Sequence, residues 1–570
     1  MTSAEGTGVT GSLFDRGSSA RAIRIDSGSI KLSNLSRKNW IGGPPGTGKT
    51  HAIEQIIGEY YGDETEELIP SCIYVTYSRS MAAAARRRIR LDRRHVGTLH
   101  SILTHMLGWN KSDFLTDSEI MDFCFRYGLK RAPSKSTDED MLDDDHEDDW
   151  SVFYAAYDYA AAHYPRIPKL SSTHYQTEIN KDLDFLSNAY ARFKQAKGTH
   201  DYTDILLAAA EAADSLPPLR LLIVDEAQDL TPIMWHIIRQ WSRRCERVVI
   251  AGDDDQGIYR YRGAYVRDFL AERNDSRIFH LNRSYRLRSR PKELADHIIM
   301  PVMEREIKEF APRTEEGEVN TSMGIDAFLK KKGEKWILCR QKYVCRQVAD
   351  MLEKKGVVFL PINNRHESLS PWTRTLVKIT NILHNWPPKN EEDIIFVAKL
   401  LPASVMKRGI KTAIEKGVFF KEAAAQETLD GIPLFGRMFS RPIGPEDFLR
   451  HLKSKGKAGM AKKELIRSRY RQGIADEDIV RLDTFHASKG GETEHVLVVT
   501  NVSRRVLDSL MSFPDDERRV IYVAVTRSRD TVSVTNLGIT AYSYPSSMFD
   551  ISSHRVTEVT SMLQEVAAET

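Results

Sequence analysis

Short runs of aliphatic and β-branched residues recur along the chain, and each ends in a group of polar residues. They include CIYVTY, LRLLIVDE, ERVVIAGDDD, KWILCR, HVLVVTN and TVSVTNL. Buried parallel strands show this pattern when the loops at their carboxyl ends carry polar side chains. Helical stretches such as 80–90 and 347–354 lie between the runs. We therefore predict an α/β fold with doubly wound parallel sheets.

The strands fall into two groups along the chain, which predicts two α/β cores, each interrupted by a mainly helical insertion. The predicted bounds are 1–101 and 197–275 for the first core, 102–196 for its insertion, 276–362 and 476–570 for the second core, and 363–475 for its Lys-rich insertion. The first insertion contains an acidic run at 138–149. We interpret this run as a solvated loop, with a regulatory or DNA-mimicking tail as the alternative, because neighbouring like charges repel one another and rarely pack.

Composition narrows the class of protein. The chain has 570 residues, of which 41% are hydrophobic and 28% charged, and its net charge is +3. Such a balance is typical of a folded globular protein, and any nucleic-acid site has to be a local groove. Five scattered cysteines form no C-x-x-C pair, and no stretch of about 18 apolar residues occurs. We expect a soluble protein of the cytoplasm, in a bacterial or phage-infected cell, without a membrane partner.

One glycine-rich segment has the spacing of a phosphate-binding loop. It reads Gly43-Pro44-Pro45-Gly46-Thr47-Gly48-Lys49-Thr50, fits G-x-x-x-x-G-K-[ST] and precedes a helical stretch. Backbone N–H groups of such a loop cradle phosphates, while the lysine reaches the β- and γ-phosphates and the last hydroxyl ligates Mg²⁺. The segment therefore predicts that ATP and Mg²⁺ are the cofactors, with Lys49 and Thr50 as their main side-chain ligands.

A second segment supplies the carboxylates that such a loop requires. The apolar run 221–224 ends directly in Asp225 and Glu226. We assign Asp225 to Mg²⁺ and Glu226 to orienting and deprotonating the attacking water. The two segments together predict an ATP hydrolase.

Further motifs follow in an order that resembles the UvrD/Rep type of superfamily 1 helicases. They are TYSR (76–79), GTLH (97–100), DYTDIL (201–206), AGDDDQGIYRYRGA (251–264), LNRSYR (281–286), DTFHASKGGETEH (483–495) and ERRVIYVAVTRSRD (517–530). The resemblance covers both cores but hardly touches the insertions. It implies two RecA-like domains with ATP in the cleft between them and single-stranded DNA across their top.

The resemblance also implies roles around the nucleotide. Gln256 resembles the glutamine that senses the γ-phosphate and links the ATP site to the DNA site. Arg286 and Arg527 resemble the two arginines that the second core offers to the γ-phosphate. Tyr285 resembles the aromatic that stacks on adenine, and Glu492 resembles the acid near the ribose. The family usually has a glutamine-containing block upstream of the phosphate loop, and this sequence lacks it. The selectivity for the base therefore stays open.

For the nucleic acid, the resemblance implies aromatic faces that stack on bases and polar groups that contact phosphates. Tyr77, Tyr259 and Tyr261 match the stacking positions, and Arg262 follows the last of them. Tyr261 stands where the family commonly has tryptophan, so we expect weaker stacking there. The backbone contacts are assigned to Thr76, Thr98, His100, Thr484 and His486.

The resemblance implies an ATP-dependent DNA helicase, and its third motif, which resembles that of the 3′-to-5′ branch, implies movement 3′ to 5′ along single strands. Its expected partners are single-stranded DNA and single-strand/duplex junctions, and we expect a monomer. One alternative is a translocase that displaces proteins with little unwinding. Another, suggested by the phosphate loop alone, is a ring-forming AAA+ protein remodeller. The pathway (repair, replication, phage or defence), the protein partners and the preference for DNA over RNA remain open at this point.

Overall fold

The computed structural model describes residues 22–61, 72–77, 79–89, 94–131, 148–355, 357, 359–362, 378–379, 382–383, 385–415, 419–420, 435–452 and 480–551. The chain forms two compact units. The first comprises the described residues within Met1–Lys292, Ile299–Glu316 and Phe513–Tyr522. The second comprises those within Glu293–Ile298, Gly317–Ser512 and Val523–Thr570. Among the helices within the described ranges, none combines the length and the apolar character needed to cross a bilayer.

The first unit is built on a sheet of seven parallel strands. In chain order they are β1 (Ile23–Ile25), β2 (Lys38–Gly42), β3 (Cys72–Thr76), β4 (Val96–Thr98), β5 (Leu219–Val224), β6 (Cys245–Gly252) and β7 (Arg277–Leu281). Their spatial order is β1-β7-β2-β6-β5-β3-β4. All neighbouring pairs are parallel, with Leu222 opposite Val248 and Ile41 opposite Ala251 in the centre.

Both faces of this sheet are buried, which explains the uninterrupted apolar runs. Along β5, Leu222 and Val224 belong to one hydrophobic cluster, whereas Leu221 and Ile223 belong to a second. Alternate residues of a strand point to opposite faces, so helices must cover both sides. The helices of this unit that flank the sheet are α1 (Lys49–Tyr61), α2 (Arg79–Ile89), α3 (Leu99–Met106), α7 (Tyr202–Glu211), α8 (Pro232–Ser242) and α9 (Val266–Ala271).

A helical insertion separates β4 from β5. Its helices are α4 (Asp117–Tyr127), α5 (Asp149–Ala162) and α6 (Leu183–Lys197). They enclose an aromatic cluster that contains Phe123, Trp150, Phe153 and Tyr190, all almost completely buried. Of the acidic run, positions 138–147 lie outside the described residues, and Asp148 caps α5 by accepting the Ser151 N–H at 2.8 Å.

The second unit contains a sheet of six parallel strands. They are β8 (Glu318–Asn320), β9 (Lys335–Cys339), β10 (Phe359–Leu360), β11 (Val480–Thr484), β12 (Thr493–Val499) and β14 (Ser528–Thr535), in the spatial order β10-β11-β9-β12-β14-β8. A separate antiparallel pair joins β13 (Asn501–Val502) to β15 (Tyr542–Ser543). The main sheet packs on α12 (Lys342–Lys354) and α11 (Ile325–Leu329) through one apolar cluster.

The described part of the second insertion is helical and has its own apolar cluster. Its helices are α13 (Glu391–Leu400), α14 (Ile410–Glu415) and α15 (Pro445–His451). Val397, Met438 and Phe448 are fully buried in that cluster. The remaining helices of the chain's described part are α10 (Ser289–Ile299), α16 (Arg504–Ser512) and α17 (Pro514–Val525).

The predicted fold class, two parallel-sheet α/β cores with helical insertions, is confirmed. One assignment differs: β7 at Arg277–Leu281, which the sequence placed in the second core, pairs with β2 in the first sheet. The described residues of Ile299–Glu316 and Phe513–Tyr522 also belong to the first unit. A strand's own residues do not encode which sheet it joins, because that depends on partners far away in the sequence.

Candidate functional site

The phosphate loop, Gly43–Thr50, connects β2 to α1. Its turn is closed by Thr47, whose backbone N–H and hydroxyl both donate to the Pro44 carbonyl, at 3.2 and 2.8 Å. Gly46 and Gly48 have φ angles of 72° and 85°. This left-handed region is accessible to glycine at little cost. The predicted loop residues therefore form a compact turn that opens a helix.

Lys49 and Thr50 lie at the start of α1. The Lys49 ammonium donates to the Gly43 carbonyl at 2.6 Å and is almost buried. Its positive charge acts on the Asp225 carboxylate at the end of β5. The Lys49 ammonium therefore lies near the Asp225 carboxylate, and Thr50 is the next residue of the helix. Hydroxyl and carboxylate oxygens are ligands that Mg²⁺ prefers.

Asp225 is held by two hydrogen bonds. Its Oδ2 accepts the Tyr74 hydroxyl at 2.8 Å and its Oδ1 accepts the Glu226 N–H at 2.9 Å. Burial and the neighbouring Glu226 carboxylate raise the pKa of Asp225 to about 6, while Lys49 and Tyr74 act in the opposite direction. Tyr74 is a site residue that the sequence analysis missed. In the sequence, only the place of Tyr74 within the apolar run of β3 could have indicated that it lies beside Asp225.

Glu226 has a φ of 53°, in the left-handed region, where a residue with a side chain is strained. Its carboxylate accepts a hydrogen bond from the Gln228 side-chain Nε2 at 2.6 Å, and the Gln228 side-chain Oε1 accepts the Asp253 N–H at 3.0 Å. Gln228 thus connects the end of β5 to the loop after β6. The hydrogen bond from Gln228 therefore holds the carboxylate of the predicted base.

Gln256 lies in that loop after β6, only 5% exposed. Its amide nitrogen donates to Asp253 Oδ2 at 2.7 Å. Through Asp253 and Gln228, the predicted γ-phosphate sensor is therefore connected to the predicted base Glu226 by consecutive hydrogen bonds.

Residues 284–286 lie against the phosphate loop. The Ser284 hydroxyl donates to the Pro45 carbonyl at 2.8 Å, and the Tyr285 N–H donates to the Gly46 carbonyl at 2.8 Å. A Cβ at Gly46 would lie 2.3 Å from the Arg286 Cβ. The structure thus places Tyr285 and Arg286 beside the loop and within the first unit, whereas the sequence assigned both to the second core. The Tyr285 ring is half exposed.

Arg527 and Glu492 belong to the second unit. The Arg527 side chain is 1% exposed and donates to the Val523 carbonyl at 2.8 Å, the Thr526 hydroxyl at 2.9 Å and the Gly491 carbonyl at 3.3 Å. Glu492 is exposed, and its carboxylate lies 3.8 Å from the Arg529 guanidinium. Within its own unit, Arg527 is therefore held rigidly in one orientation.

The three predicted base-stacking residues form an aromatic group. The Tyr77 and Tyr259 rings are stacked with centroids 4.7 Å apart, and Tyr261 lies 6.1 Å from Tyr259 at a tilt of 55°. Arg262 donates to the Tyr77 hydroxyl at 2.6 Å. Burial works against a charged guanidinium, but the surrounding tyrosines and Asp158 raise the pKa of Arg262. The cation therefore stays charged inside the group.

Three polar residues from the T-Y-S and T-x-H frames lie at the ends of β3 and β4. His100 lines a pocket together with Tyr77 and Arg262. Thr76 is buried, and the Thr98 hydroxyl caps α3 by accepting the Ser101 N–H at 3.3 Å. Thr98 thus has a structural contact in addition to its predicted one.

Thr484 and His486 follow β11 in the second unit. The Thr484 hydroxyl accepts the Ala487 N–H at 3.2 Å and stabilises the turn that carries His486. His486 is half-buried there. The two residues lie together at the carboxyl end of their strand.

Comparisons with known proteins agree with the sequence motifs. Residues 28–277 match the family described as the UvrD/REP helicase N-terminal domain. The putative ATP-dependent DNA helicase YjcD of Bacillus subtilis is 21% identical over 440 residues, which cover 62% of this chain and 57% of that protein. The ATP-dependent DNA helicase UvrD2 of Mycobacterium tuberculosis is 24% identical over 45% of this chain and 40% of that protein. DNA helicase II of Haemophilus influenzae is 27% identical over 28% and 22%. Each match spans less than two thirds of the relative's own length.

Proposed function

Because the chain is a UvrD/Rep-like superfamily 1 protein, we propose that it hydrolyses ATP to move 3′ to 5′ along single-stranded DNA and to unwind duplexes. The observation that supports this most directly is the connected path from Glu226 through Gln228 and Asp253 to Gln256. Gln256 lies in the same loop as Tyr259 and Tyr261. A movement of Gln256 caused by ATP binding or hydrolysis can therefore be transmitted along the backbone of this loop to the aromatic group.

In this proposal the phosphate loop binds the triphosphate through its backbone N–H groups, and Lys49 exchanges the Gly43 carbonyl for phosphate oxygens. Thr50 and Asp225 hold Mg²⁺, which neutralises charge on the phosphates. Glu226 accepts a proton from the attacking water. Tyr285 stacks on the base, as the family motif implies.

Two arginines and one acid complete the proposed nucleotide site. Arg286 and Arg527 stabilise the charge that develops on the γ-phosphate, a role for which a permanently charged planar donor is suited. Glu492 contacts the ribose. These three assignments rest on the motif frames in which the residues stand.

The proposed DNA surface combines the aromatic group with the polar residues beside it. The three stacking residues are Tyr77, Tyr259 and Tyr261, and Arg262 holds the Tyr77 hydroxyl through a hydrogen bond. Stacking on aromatic rings tolerates any base sequence. The strand backbone contacts Thr76, Thr98, His100, Thr484 and His486. Single-stranded DNA and junctions are the proposed partners of a monomer.

The central experiment measures ATP turnover with and without oligo(dT), with an RNA of equal length as the comparison. We expect strong stimulation by DNA and weaker stimulation by RNA. A Lys49→Ala protein serves as the control for contaminating hydrolases. Turnover that no nucleic acid stimulates would contradict the proposal and would favour the AAA+ type remodeller.

A second experiment tests direction and outcome. Duplexes with either a 3′ or a 5′ single-stranded tail are offered, and we expect unwinding from the 3′ tail only. Equal unwinding from both tails would refute the polarity. A parallel assay follows displacement of streptavidin from a biotinylated single strand. Efficient displacement without unwinding would identify a protein-displacing translocase instead.

A further inference from the structure

The loop after β6 contains three consecutive aspartates in the interior. Asp253, Asp254 and Asp255 are all at most 1% exposed. Buried carboxylates that stand side by side repel one another and lose their hydration, so they require compensating cations. Burial and the adjoining carboxylates raise the pKa of Asp254 to about 6, although one buried lysine lowers it.

That lysine is Lys308, from a segment more than fifty residues further along the chain. Its Nζ lies 3.0 Å from Asp253 Oδ1, 2.6 Å from Asp254 Oδ1 and 2.8 Å from Asp255 Oδ2, and its side chain is 2% exposed. Burial disfavours the ammonium, but the three carboxylates outweigh this and raise the pKa of Lys308. Lys308 therefore occupies the position of a cation shared by all three aspartates.

Neighbouring residues hold the rest of the cluster, so Lys308 is not its only support. Arg305 forms a bidentate contact with Asp255, at 2.8 and 2.7 Å. The Glu306 N–H donates to Asp254 Oδ2 at 2.7 Å, and Arg519 donates to the Asp254 carbonyl at 3.0 Å. Within the described part of the chain, Arg305 reaches Asp255, whereas the cation beside Asp253 is Lys308.

Asp253 divides its contacts between this cation and Gln256. Its Oδ1 lies beside Lys308, whereas its Oδ2 accepts the Gln256 amide at 2.7 Å. Its backbone N–H continues to Gln228, which binds Glu226. The Asp253 carboxylate is thus one of the groups that hold the Gln256 amide in position.

We infer that Lys308 is a positioning residue for ATP hydrolysis: through Asp253 it fixes the Gln256 side chain where that amide senses the γ-phosphate. This inference rests on the proposed function. Lys308 acts through Asp253 and not by contact with the nucleotide. Its loss leaves Asp253 free to rotate toward another partner, and Gln256 follows it.

The test is a double-mutant cycle between Lys308→Met and Gln256→Ala. Turnover with saturating oligo(dT) gives kcat, and titration with ATP and ADP gives their relative affinities. We expect Lys308→Met to lower kcat by up to about 100-fold, the scale of a misplacement of about 1 Å, and to reduce the preference for ATP over ADP. In the Gln256→Ala background the same change should have almost no further effect.

A structural role for Lys308 predicts a different result. It would add its effect on kcat to that of Gln256→Ala and would leave the preference for ATP over ADP unchanged. Additive effects therefore overturn the inference. Arg313→Met is the matched control, since Arg313 lies in the same segment and pairs with the exposed Glu315 at 2.6 Å. We expect its kcat and its ATP-to-ADP ratio to equal those of the wild type.

Lys308→Met leaves buried charge uncompensated and can prevent folding. For that case the cycle is repeated in an Asp254→Asn background, which removes one carboxylate and leaves Asp253 and Gln256 unchanged. A wild-type protein without ATP turnover would overturn both the proposed function and this inference. An active wild type with an additive cycle overturns the inference alone.

Discussion

Gly46 tests whether the phosphate loop and residues 284–286 form one packed unit. An alanine Cβ there would lie 2.3 Å from the Arg286 Cβ and 3.0 Å from the Arg286 nitrogen. Gly46 also has a φ of 72°. Gly46→Ala therefore combines backbone strain with a steric clash that only movement of residues 284–286 can relieve.

Gly108 separates these two effects. Its φ is also 72°, but an added Cβ would have no atom within 4 Å among the neighbours in the described structure. Left-handed backbone costs a residue with a side chain about 1–2 kcal/mol, partly offset because alanine lowers the entropy of the unfolded chain. We expect Gly108→Ala to destabilise the protein by about 1 kcal/mol.

Gly46→Ala should cost more, because two further effects are present. Overpacking adds about 1–3 kcal/mol. Loss of the 2.8 Å hydrogen bond from the Tyr285 N–H to the Gly46 carbonyl adds about 0.5–1.5 kcal/mol. The expected difference between the two variants is therefore about 1.5–4.5 kcal/mol.

Urea unfolding of both variants and the wild type measures this difference from the midpoints and the common slope. ATP binding measured on the same preparations should weaken for Gly46→Ala and remain unchanged for Gly108→Ala. Equal destabilisation with unaltered ATP affinity in both would show that Arg286 does not pack against the loop.

Four further predictions concern single residues. Glu226→Gln should retain ATP binding and lose hydrolysis, because the amide cannot accept the proton of the water; near-normal turnover removes Glu226 from the mechanism. Arg527→Ala should lower ATP turnover by about 10³-fold, the scale of a lost arginine finger. Loss of its three hydrogen bonds should also destabilise the second unit. Unchanged turnover in a steady-state assay would contradict the assignment. Tyr261→Ala should weaken binding of oligo(dT) by about 1–3 kcal/mol in a fluorescence titration and leave the ATP turnover without DNA unchanged. A large drop in melting temperature together with loss of that basal turnover would instead show that Tyr261 is a core residue. Burial and nearby cations lower the pKa of His280 to about 4, so below pH 6.5 the unfolded chain binds a proton that the folded protein does not. As the pH is lowered from 6.5 to 4, the free energy of unfolding should fall by up to about 1.4 kcal/mol per pH unit. Urea unfolding at several pH values measures this dependence, and a His280→Gln variant with the same dependence on pH would refute the prediction.

Local pattern was sufficient for the strands that carry the site. The runs ending at Asp225 and at Asp253 predict buried parallel strands, because only a strand covered on both faces is apolar throughout. The glycine spacing from Gly43 to Lys49 predicts a phosphate loop, since its chemistry depends on consecutive backbone groups. These features depend on neighbours in the sequence, and so the sequence alone determines them.

Tertiary structure decided the contacts between distant segments. Nothing near Lys308 indicates that it neutralises Asp253, because the pair becomes adjacent only when two separate segments pack together. The same holds for the Tyr74 hydroxyl on Asp225 and for the strand at Arg277–Leu281, which joins the first sheet. Local periodicity specifies which face of an element is buried, whereas the identity of its partner depends on the packing of the whole chain.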